Sequence, residues 1–270
     1  MLLVTGWRSK MSDRIPLEEQ IKTIASIKKK IDETQNGELI YLTISGSDLY
    51  GFSSKDSDVD YRGTYLTGTE NFLGLHSRRD VIEMKPDIVL FELGKELNLA
   101  LKGNCNVLEH INATPIYRTA EYLDMKQMVN NAFPKNGLYN SYKGMAMFNY
   151  KKFIMKGRKT YKKYLYVFRG LMAGTYALQT GRIESNTETL NRYFKIPEIK
   201  TLIKAKRDGF ENEEVTSIIE DGSLDALIPA LFDRMDKAYV KSKIPEKVDP
   251  QLWDEINSWL IELRTEKIGK

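Results

Sequence analysis

Apolar and polar positions along the chain follow two patterns, one typical of helices and one typical of strands. Residues 17–33 carry isoleucines three and four positions apart, a spacing that predicts an amphipathic helix. Residues 37–45 (GELIYLTIS) form a β-rich apolar run that predicts a buried strand. Residues 58–66 predict a second strand, and residues 78–93 predict two more. The front of the chain therefore combines helices and strands.

Beyond about residue 105 we find no convincing strand, and the apolar positions keep helical spacing. One helix is predicted from residue 93. Further helices are predicted near residues 105–112, 119–132, 138–156, 159–180, 197–207, 211–220, 224–241 and 249–266. We predict an α+β fold with two parts: a head with a small mixed sheet and flanking helices, residues 1–115, and an all-helical tail, residues 116–270.

Composition narrows the class of protein. A hydrophobic share of 41% and a charged share of 29% are ordinary for a soluble globular chain. We find no apolar run long enough to span a membrane, and the N-terminus lacks the long apolar region of a signal peptide. The single cysteine, Cys105, allows no internal disulfide, and the two histidines, His76 and His110, lack metal-ligand spacing. We expect a cytoplasmic protein without a zinc cluster.

Charge is distributed unevenly although the net charge is only +4. The 58 residues from Met125 to Arg182 contain twelve Lys or Arg and no Asp or Glu. Such a segment is either a solvated basic face or a surface that meets an anion. Aromatic residues between these cations belong either to the helix core or to a surface on which bases stack. They are Tyr139, Tyr142, Phe148, Tyr150, Phe153, Tyr161 and Tyr164.

The stretch TISGSDLYGFSSKDSDVDYRGTYL contains the candidate chemistry. On a strand, Asp58 and Asp60 would share one face, and Arg62 follows on the same face. Two adjacent carboxylates either face open water or bind a divalent cation, and oxygen ligands are those that Mg²⁺ takes in proteins. Gly46 and Ser47 follow the first predicted strand. A glycine there lets the backbone approach a phosphate, which backbone N–H groups and the hydroxyl can hold.

This combination of an apolar strand, Gly-Ser, a loop of ten residues and Asp-x-Asp resembles the nucleotidyltransferase superfamily typified by DNA polymerase β. More narrowly, GSDLYGFSSKDSDVDYRG resembles the nucleotidyltransferases of an RNA-repair-pathway polymerase-β family. Their pattern is Gly-Ser-x-x-Tyr-Gly, then Ser-Asp-x-Asp, then Arg-Gly. The matching residues are Gly46, Ser47, Tyr50, Gly51, Ser57, Asp58, Asp60, Arg62 and Gly63. The resemblance implies a polymerase-β-type catalytic head.

The resemblance also implies a third carboxylate on a later, adjacent strand. Asp87 fits best because it opens an apolar run, and Glu83 and Glu92 are the alternatives. Asp56 is expected to lie outside the site, since the motif requires only the two aspartates of Asp-x-Asp.

Two later segments extend the resemblance. In LALKGNCNVLEHI, Cys105 replaces the proline of the family's Lys-Gly-Asn-Pro-Asn-x-x-Glu, which otherwise matches at Lys102, Gly103, Asn104, Asn106 and Glu109. A helix cap at Asn104 or Asn106 explains this stretch as well as a substrate contact does.

In KTYKKYLYVFRGL, three residues lie on one helical face: Lys162, Tyr166 and Arg169. In the similar segment of family members, a histidine occupies the position of Tyr166. A tyrosine there puts proton transfer in doubt but suits hydrogen bonding to a phosphate or a base. We predict that Lys162 or Lys163, together with Arg169, holds a triphosphate.

The residues and the resemblance together predict a nucleotidyltransferase with two Mg²⁺ or Mn²⁺ ions. It transfers a nucleoside monophosphate from an NTP to an acceptor hydroxyl and releases pyrophosphate, with RNA as the expected acceptor. The metal and catalytic residues are Asp58, Asp60 and Asp87, the last of which helps to deprotonate the acceptor. The nucleotide-binding residues are Gly46, Ser47, Arg62, Lys162, Lys163 and Arg169. Arg62 either contacts the triphosphate or orients the aspartates. The alternatives are a protein or small-molecule acceptor, a catalytically silent nucleotide or RNA sensor, and a plain RNA-binding protein.

Overall fold

The computed structural model describes residues 14–75, 78–209 and 223–266. The helix predicted near 211–220 and His76 lie outside these residues. None of the helices in the described ranges is both long enough and apolar enough to cross a membrane.

Strands occupy the first part of the described chain and helices most of the rest. The strands are β1 (Glu38–Ile44), β2 (Tyr61–Leu66), β3 (Val81–Met84), β4 (Ile88–Glu92) and β5 (Pro115–Arg118). The helices are α1 (Leu17–Gln35), α2 (Gly46–Leu49), α3 (Thr69–Leu73), α4 (Leu93–Leu101), α5 (Cys105–Asn112), α6 (Glu121–Ala132), α7 (Lys135–Lys152), α8 (Tyr161–Thr180), α9 (Thr187–Phe194), α10 (Pro197–Asp208), α11 (Ser223–Lys241) and α12 (Pro250–Thr265).

The strands form one mixed sheet in the order β3-β4-β2-β1-β5. β1 runs antiparallel to β2 and β5, β3 runs antiparallel to β4, and β2 and β4 are parallel. Parallel neighbours need a crossover connection, and here it contains α3 and β3. All four predicted strands are present, and the predicted α+β class with a helical C-terminal part is confirmed.

β5 corrects the expectation that no strand follows about residue 105. It has only four residues, begins at Pro115 and pairs with β1 at the edge of the sheet. Proline is tolerated at the first residue of an edge strand. So short a segment offers too little alternation for a strand to be detected. The helices α3 and α9 are not predicted either, because they are too short to show a clear helical spacing of apolar residues.

A bulge in β1 divides its apolar residues between the two faces of the sheet. The register with β2 shifts between Leu39 and Tyr41. Leu39 and Leu42 therefore join the buried cluster that contains Ile27 of α1, whereas Ile40 and Tyr41 join a larger cluster on the opposite face. Because both faces are covered, β1 has the continuous apolar sequence of a buried strand.

The larger cluster continues from the sheet into the helical part. It includes residues of α4, α5 and α6 and extends through α7, α8, α10 and α11 to α12. α8 lies at its centre, in contact with α7, α9, α10 and α11, and 14 of its 20 residues are buried. The division at residue 115 stays a prediction, since one continuous cluster contains residues from both sides of it.

A buried ion pair joins α5 to α8. Arg169 Nη1 lies 2.5 Å from Glu109 Oε1, and neither side chain is exposed to solvent. The Arg169 guanidinium also lies 3.7 Å from the centre of the Tyr50 ring, just after α2. A single charge left alone in such a site is unfavourable, so the two residues must be kept or replaced together.

We expect Arg169→Met to lower the free energy of unfolding by about 3–5 kcal/mol, because the Glu109 carboxylate would remain buried without its partner. The double variant Glu109→Met/Arg169→Met should be more stable than the single variant, since both buried charges are removed. Urea unfolding of the wild type, of Arg169→Met, of Glu109→Met and of the double variant measures this difference. A double variant as unstable as the sum of the two single substitutions would contradict the pairing.

Candidate functional site

α2 begins where β1 ends, and its first residue touches the acidic motif. Gly46 has φ +62°, and a Cβ built there would overlap the Asp60 carboxylate. The Ser45 N–H donates to the Asp60 carbonyl at 2.8 Å, which fixes the approach of the two segments. Glycine alone suits this position, because the backbone is left-handed and the neighbouring side chain leaves no room for a Cβ.

The pairing of β2 with β4 sets Asp60 beside Asp87. Tyr61 is opposite Ile88 in this parallel ladder, and the Tyr61 N–H donates to the Asp87 carbonyl at 2.8 Å. Asp60 and Asp87 directly precede that pair, and their side chains share a hydrogen bond. Asp58 and Asp60 thus lie in the segment that leads into β2, ahead of the strand itself.

Arg62 contacts both carboxylates. Its Nη1 is 2.9 Å from Asp87 Oδ1, and its Nη2 is 4.0 Å from Asp60 Oδ1. Nη1 also donates to the carbonyls of Tyr61 at 2.9 Å and Asp87 at 3.2 Å. Of the two roles predicted for Arg62, these contacts match the one that orients the aspartates.

Asp60 and Asp87 titrate differently in this environment. Burial raises the pKa of Asp60 to about 7, and the hydrogen bond and charge of Asp87 add to the shift, which Arg62 and Lys162 oppose. The hydrogen bond with Asp60 lowers the pKa of Asp87, and Arg62 lowers it further. The two shifts have opposite directions, so the pair binds its more tightly held proton on the side of Asp60.

These groups line a cavity of about 580 Å³, which we call the Asp60 cavity. Its volume is within the range of about 300–1,000 Å³ that is usual for small-molecule sites. One wall comes from α2 and from the segment that leads into β2, a second comes from α8, and a third from the start of α5. The lining residues include Ser45, Gly46, Ser47, Tyr50, Asp58, Asp60, Arg62, Asp87, Leu99, Asn104, Asn106, His110, Lys162 and Tyr166.

Most of the predicted site residues meet in the Asp60 cavity, but two do not line it. Lys163 Nζ lies 3.9 Å from the centre of the Phe153 ring. Arg169 is buried against Glu109 and is not exposed to solvent. The predicted contact of Arg169 with a triphosphate is corrected by this burial, since its charge is already used to join α8 to α5.

Of the three candidates for the third carboxylate, only Asp87 lines the cavity. Glu83 is exposed on β3. Glu92 is buried, caps α4 by accepting from the Gly94 N–H at 2.8 Å, and pairs with Arg264 at 2.7 Å. Both alternatives therefore lie outside the Asp60 cavity.

Several cations of the acid-free segment join helices to one another. Three of them pair with carboxylates that lie later in the chain: Lys135 with Glu246 at 3.4 Å, Lys143 with Asp236 at 2.8 Å, and Lys159 with Asp225 at 2.6 Å. Of its twelve cations, all within the described ranges, only Lys162 lines the Asp60 cavity. Of the two alternatives for its aromatic residues, a place in the helix core applies to Tyr142, Tyr161 and Tyr164, which are buried.

His110 also lines the cavity, although the sequence analysis does not predict it there. Its Nε2 is 3.0 Å from Ser45 Oγ, and its buried Nδ1 has no hydrogen-bond partner among the described residues. Burial lowers the pKa of His110 to about 3, and the charges of Arg62 and Arg169 add to the shift. The imidazole is therefore neutral, and its only sequence signal is a lone histidine next to Glu109.

The loop before α5 is held by side chains. Asn104 is the cap of this helix, since its Oδ1 accepts from the Val107 N–H at 3.2 Å. The Cys105 N–H donates to Ser141 Oγ of α7 at 2.9 Å. A proline, which the family pattern has at this position, could not make that bond because it has no N–H.

Two cations outside the motif hold the loop between α2 and β2. Arg14 pairs with the buried Asp48 at 2.9 Å and also donates to the Ser57 carbonyl. Lys206 of α10 is fully buried and donates to Ser54 Oγ at 2.6 Å. Sequence reading missed both, because their partners are 34 and 152 positions away along the chain.

The donor set of the Asp60 cavity suits a divalent cation. Asp58, Asp60 and Asp87 offer carboxylate oxygens, and the proton on Asp60 is one that a cation would displace. Within the described part of the chain, no three Asp, Glu, His or Cys side chains are already gathered as a metal site. Cation binding therefore stays a prediction.

Known proteins with related sequences identify a family. The model of the RNA repair pathway DNA polymerase beta family (RlaP) matches residues 19–262. The uncharacterized protein YcgL of Bacillus subtilis (strain 168) is 33% identical over 198 residues, which span 68% of this chain and 75% of that protein. The uncharacterized protein MJ0002 of Methanocaldococcus jannaschii is 34% identical over 155 residues, which span 54% of this chain and 63% of that protein. Neither name assigns an activity.

Among solved structures, the chain is similar to a nucleotidyltransferase-like protein from Exiguobacterium sibiricum 255-15, determined at 1.90 Å resolution. The match covers 84% of this chain and 75% of that chain, with 10% sequence identity and a TM-score of 0.27. A TM-score this low supports no argument about fold or function, so the sequence family carries the comparison.

We expect Gly46→Ala to destabilise the protein by about 1–3 kcal/mol, because the methyl group meets the Asp60 carboxylate and the backbone is left-handed. Gly144→Ala is the matched control, since nothing lies within 4 Å of a Cβ built there, inside α7. That control should be neutral or more stable by about 0.5–1 kcal/mol. Thermal unfolding compares the two variants, and equal stabilities would contradict the close approach at Gly46.

We expect the contribution of Asp60 to the free energy of unfolding of the metal-free protein to fall as the pH rises from about 4 to 7. The unfolded chain ionises Asp60 near its ordinary pKa of about 4, whereas the folded state keeps the proton up to about 7. The lowered pKa of Asp87 acts oppositely, and its contribution is lost only as the pH falls below about 4. Urea unfolding in EDTA across this range should therefore show a smaller decline for Asp60→Asn than for the wild type. Parallel curves would refute the shift.

Proposed function

Because this chain belongs to the RNA repair pathway DNA polymerase beta family, we propose that it transfers a nucleoside monophosphate from an NTP to a hydroxyl group of RNA. The family supports a polymerase-β-like nucleotidyltransferase. The proposal adds the divalent cation, the NTP and the acceptor. The observation that carries it is one cavity lined by three aspartates, a Gly-Ser turn and a lysine from the opposite wall.

The NTP would bind with its phosphates between α2 and α8. Ser47 lines the cavity, and the left-handed backbone at Gly46 would let the peptide groups approach the phosphates. Lys162 reaches the cavity from α8 and would neutralise phosphate oxygens. Tyr166, one turn further along the same face, offers a hydroxyl to the nucleotide.

Asp58, Asp60 and Asp87 would hold Mg²⁺ or Mn²⁺. When bound, the cations would neutralise the triphosphate and lower the pKa of the attacking hydroxyl. Arg62 keeps Asp60 and Asp87 at a fixed separation through its two contacts.

Asp87 would receive the acceptor's proton. It is ionised because the hydrogen bond with Asp60 and the neighbouring Arg62 lower its pKa. Its side chain is 45% exposed, against 23% for Asp60, so an incoming hydroxyl reaches it more readily. Attack of the acceptor oxygen on the α-phosphorus forms the new phosphodiester and breaks the bond to pyrophosphate.

Transfer of label from each α-³²P-NTP, with Mg²⁺ or Mn²⁺ and a mixture of RNA, DNA and cellular protein, tests the reaction. We expect labelled RNA with the wild type. Asp58→Ala and Asp60→Ala should each lower the rate by on the order of 10²–10³-fold, because charge stabilisation worth several kcal/mol is removed. Asp56→Ala is the matched control, since Asp56 is exposed and does not line the cavity.

Each other outcome has a definite meaning. Labelled protein or a labelled small molecule would keep the chemistry and replace the acceptor. Metal-dependent NTP binding without any transfer would favour a sensor over an enzyme. Equal loss of activity in Asp56→Ala and Asp60→Ala would refute the assignment of the site.

A further inference from the structure

A second cavity of about 370 Å³ lies between α4 and α12, and we call it the α4–α12 groove. One side is formed by residues of α4, among them Lys95 and Asn98, and by Lys102, which caps the C-terminus of that helix. Residues of α12 form the other side, among them Trp253 and Asn257. Nothing in the proposed reaction uses this groove.

The groove is a neighbour of the Asp60 cavity. Leu99 of α4 lines both. Phe91 of β4 lines the Asp60 cavity, and the next residue, Glu92, lines the groove. Lys102 lines the groove, while Asn104, two residues later, lines the Asp60 cavity. A chain-like ligand that leaves the Asp60 cavity over Leu99 would therefore enter the groove.

The groove carries uncompensated positive charge. Two of its four cations are paired within it, Arg78 with Asp80 at 3.0 Å and Arg264 with Glu92 at 2.7 Å. The other two, Lys95 and Lys102, have no carboxylate partner among the described residues. Lys95, Asn98 and Lys102 are three and four positions apart and so follow one face of α4. Two lysines along one side of a groove suit a ligand with repeated negative charge.

Trp253 provides a flat apolar surface on the opposite side. It lies in the first turn of α12, and 44% of the side chain is exposed. Asn257 follows one turn later on the same face and offers an amide that can hydrogen-bond to a base edge. An exposed aromatic ring beside uncompensated cations is the combination with which proteins bind single-stranded nucleic acid.

We infer that the α4–α12 groove binds the acceptor RNA strand next to its reacting end, with phosphates on Lys95 and Lys102 and a base stacked on Trp253. This inference rests on the proposed function for its RNA acceptor. The strand is single here, because a base must be unstacked from its neighbours to lie on an aromatic side chain. The groove thus sets which acceptors are used, while the Asp60 cavity carries out the transfer.

Binding can be measured without catalysis. We would follow the fluorescence anisotropy of a labelled single-stranded RNA of about 12 nucleotides, in EDTA and without NTP. Lys95→Ala/Lys102→Ala should bind about tenfold or more weakly and should lower the slope of log K against log salt by about 1.4, since two phosphate contacts are lost. Lys200→Ala/Lys204→Ala, which removes two exposed lysines of α10, is the control with the same change of charge.

The tryptophan has its own pair of variants. Trp253→Ala should weaken RNA binding by about 5- to 150-fold, whereas Trp253→Phe should retain most of the affinity because a ring remains for stacking. Thermal unfolding of each variant verifies that the fold is intact. RNA should also quench tryptophan fluorescence in the wild type and do so less in Trp253→Phe.

The outcomes separate the groove from the reaction. If the wild type fails to bind RNA, or the α10 control loses as much affinity as the groove variants, the inference is overturned. It is also overturned if AMP competes as well as the RNA strand, or if an acidic peptide does. If RNA binds in the groove but no nucleotide is transferred to any acceptor, the proposed function fails and the groove remains an RNA site. If transfer occurs at the wild-type KM for RNA in all groove variants, only the groove fails.

Discussion

The surrounding structure must offset the repulsion between two neighbouring carboxylates, those of Asp60 and Asp87. Asp60 and Asp87 are adjacent because Tyr61 pairs with Ile88, so the backbone ladder itself forces them together. Two like charges at this distance are unfavourable unless a proton or a cation lies between them. The pKa of Asp60, which burial raises first of all, is about 7, so a proton takes that place below neutral pH. A cation bound in place of this proton, as the proposed function requires, would relieve the same repulsion.

The helical part completes the site through α8, whose orientation about its own axis decides which side chains reach the cavity. Lys162, Tyr166 and Arg169 lie on one face of that helix, but only the first two reach the Asp60 cavity. Arg169 is fixed by its ion pair with Glu109, whose helix α5 also provides His110 to the cavity. Because a buried ion pair is strict in geometry, it determines which part of this face is turned towards the aspartates. The ion pair therefore contributes to function through position, without contact with a ligand.

What the sequence predicts well is what depends on neighbouring residues. Asp58, Asp60, Gly46 and Ser47 lie in one short motif, and the long helices have clear periodicity. Asp87 was found through family resemblance, because strand pairing brings it in from elsewhere. The burial of Arg169 could not be predicted, since the spacing that places it beside Lys162 says nothing about which turn of the helix is covered by other elements. Lys206 was missed for a related reason: its partner, Ser54, is 152 positions away.

The tyrosine at position 166 shows how one substitution redistributes roles within a site. Its ring packs edge-on against Tyr50, with centroids 5.8 Å apart, and against Phe52 at 5.7 Å. A phenol in this place cannot become a cation near neutral pH, as a histidine can. Under the proposed function, the positive charge that this helical face offers to a triphosphate would come from Lys162, the one other residue of the face in the cavity. Proton transfer would fall to the aspartates, where the pKa of Asp60 already lies at about 7.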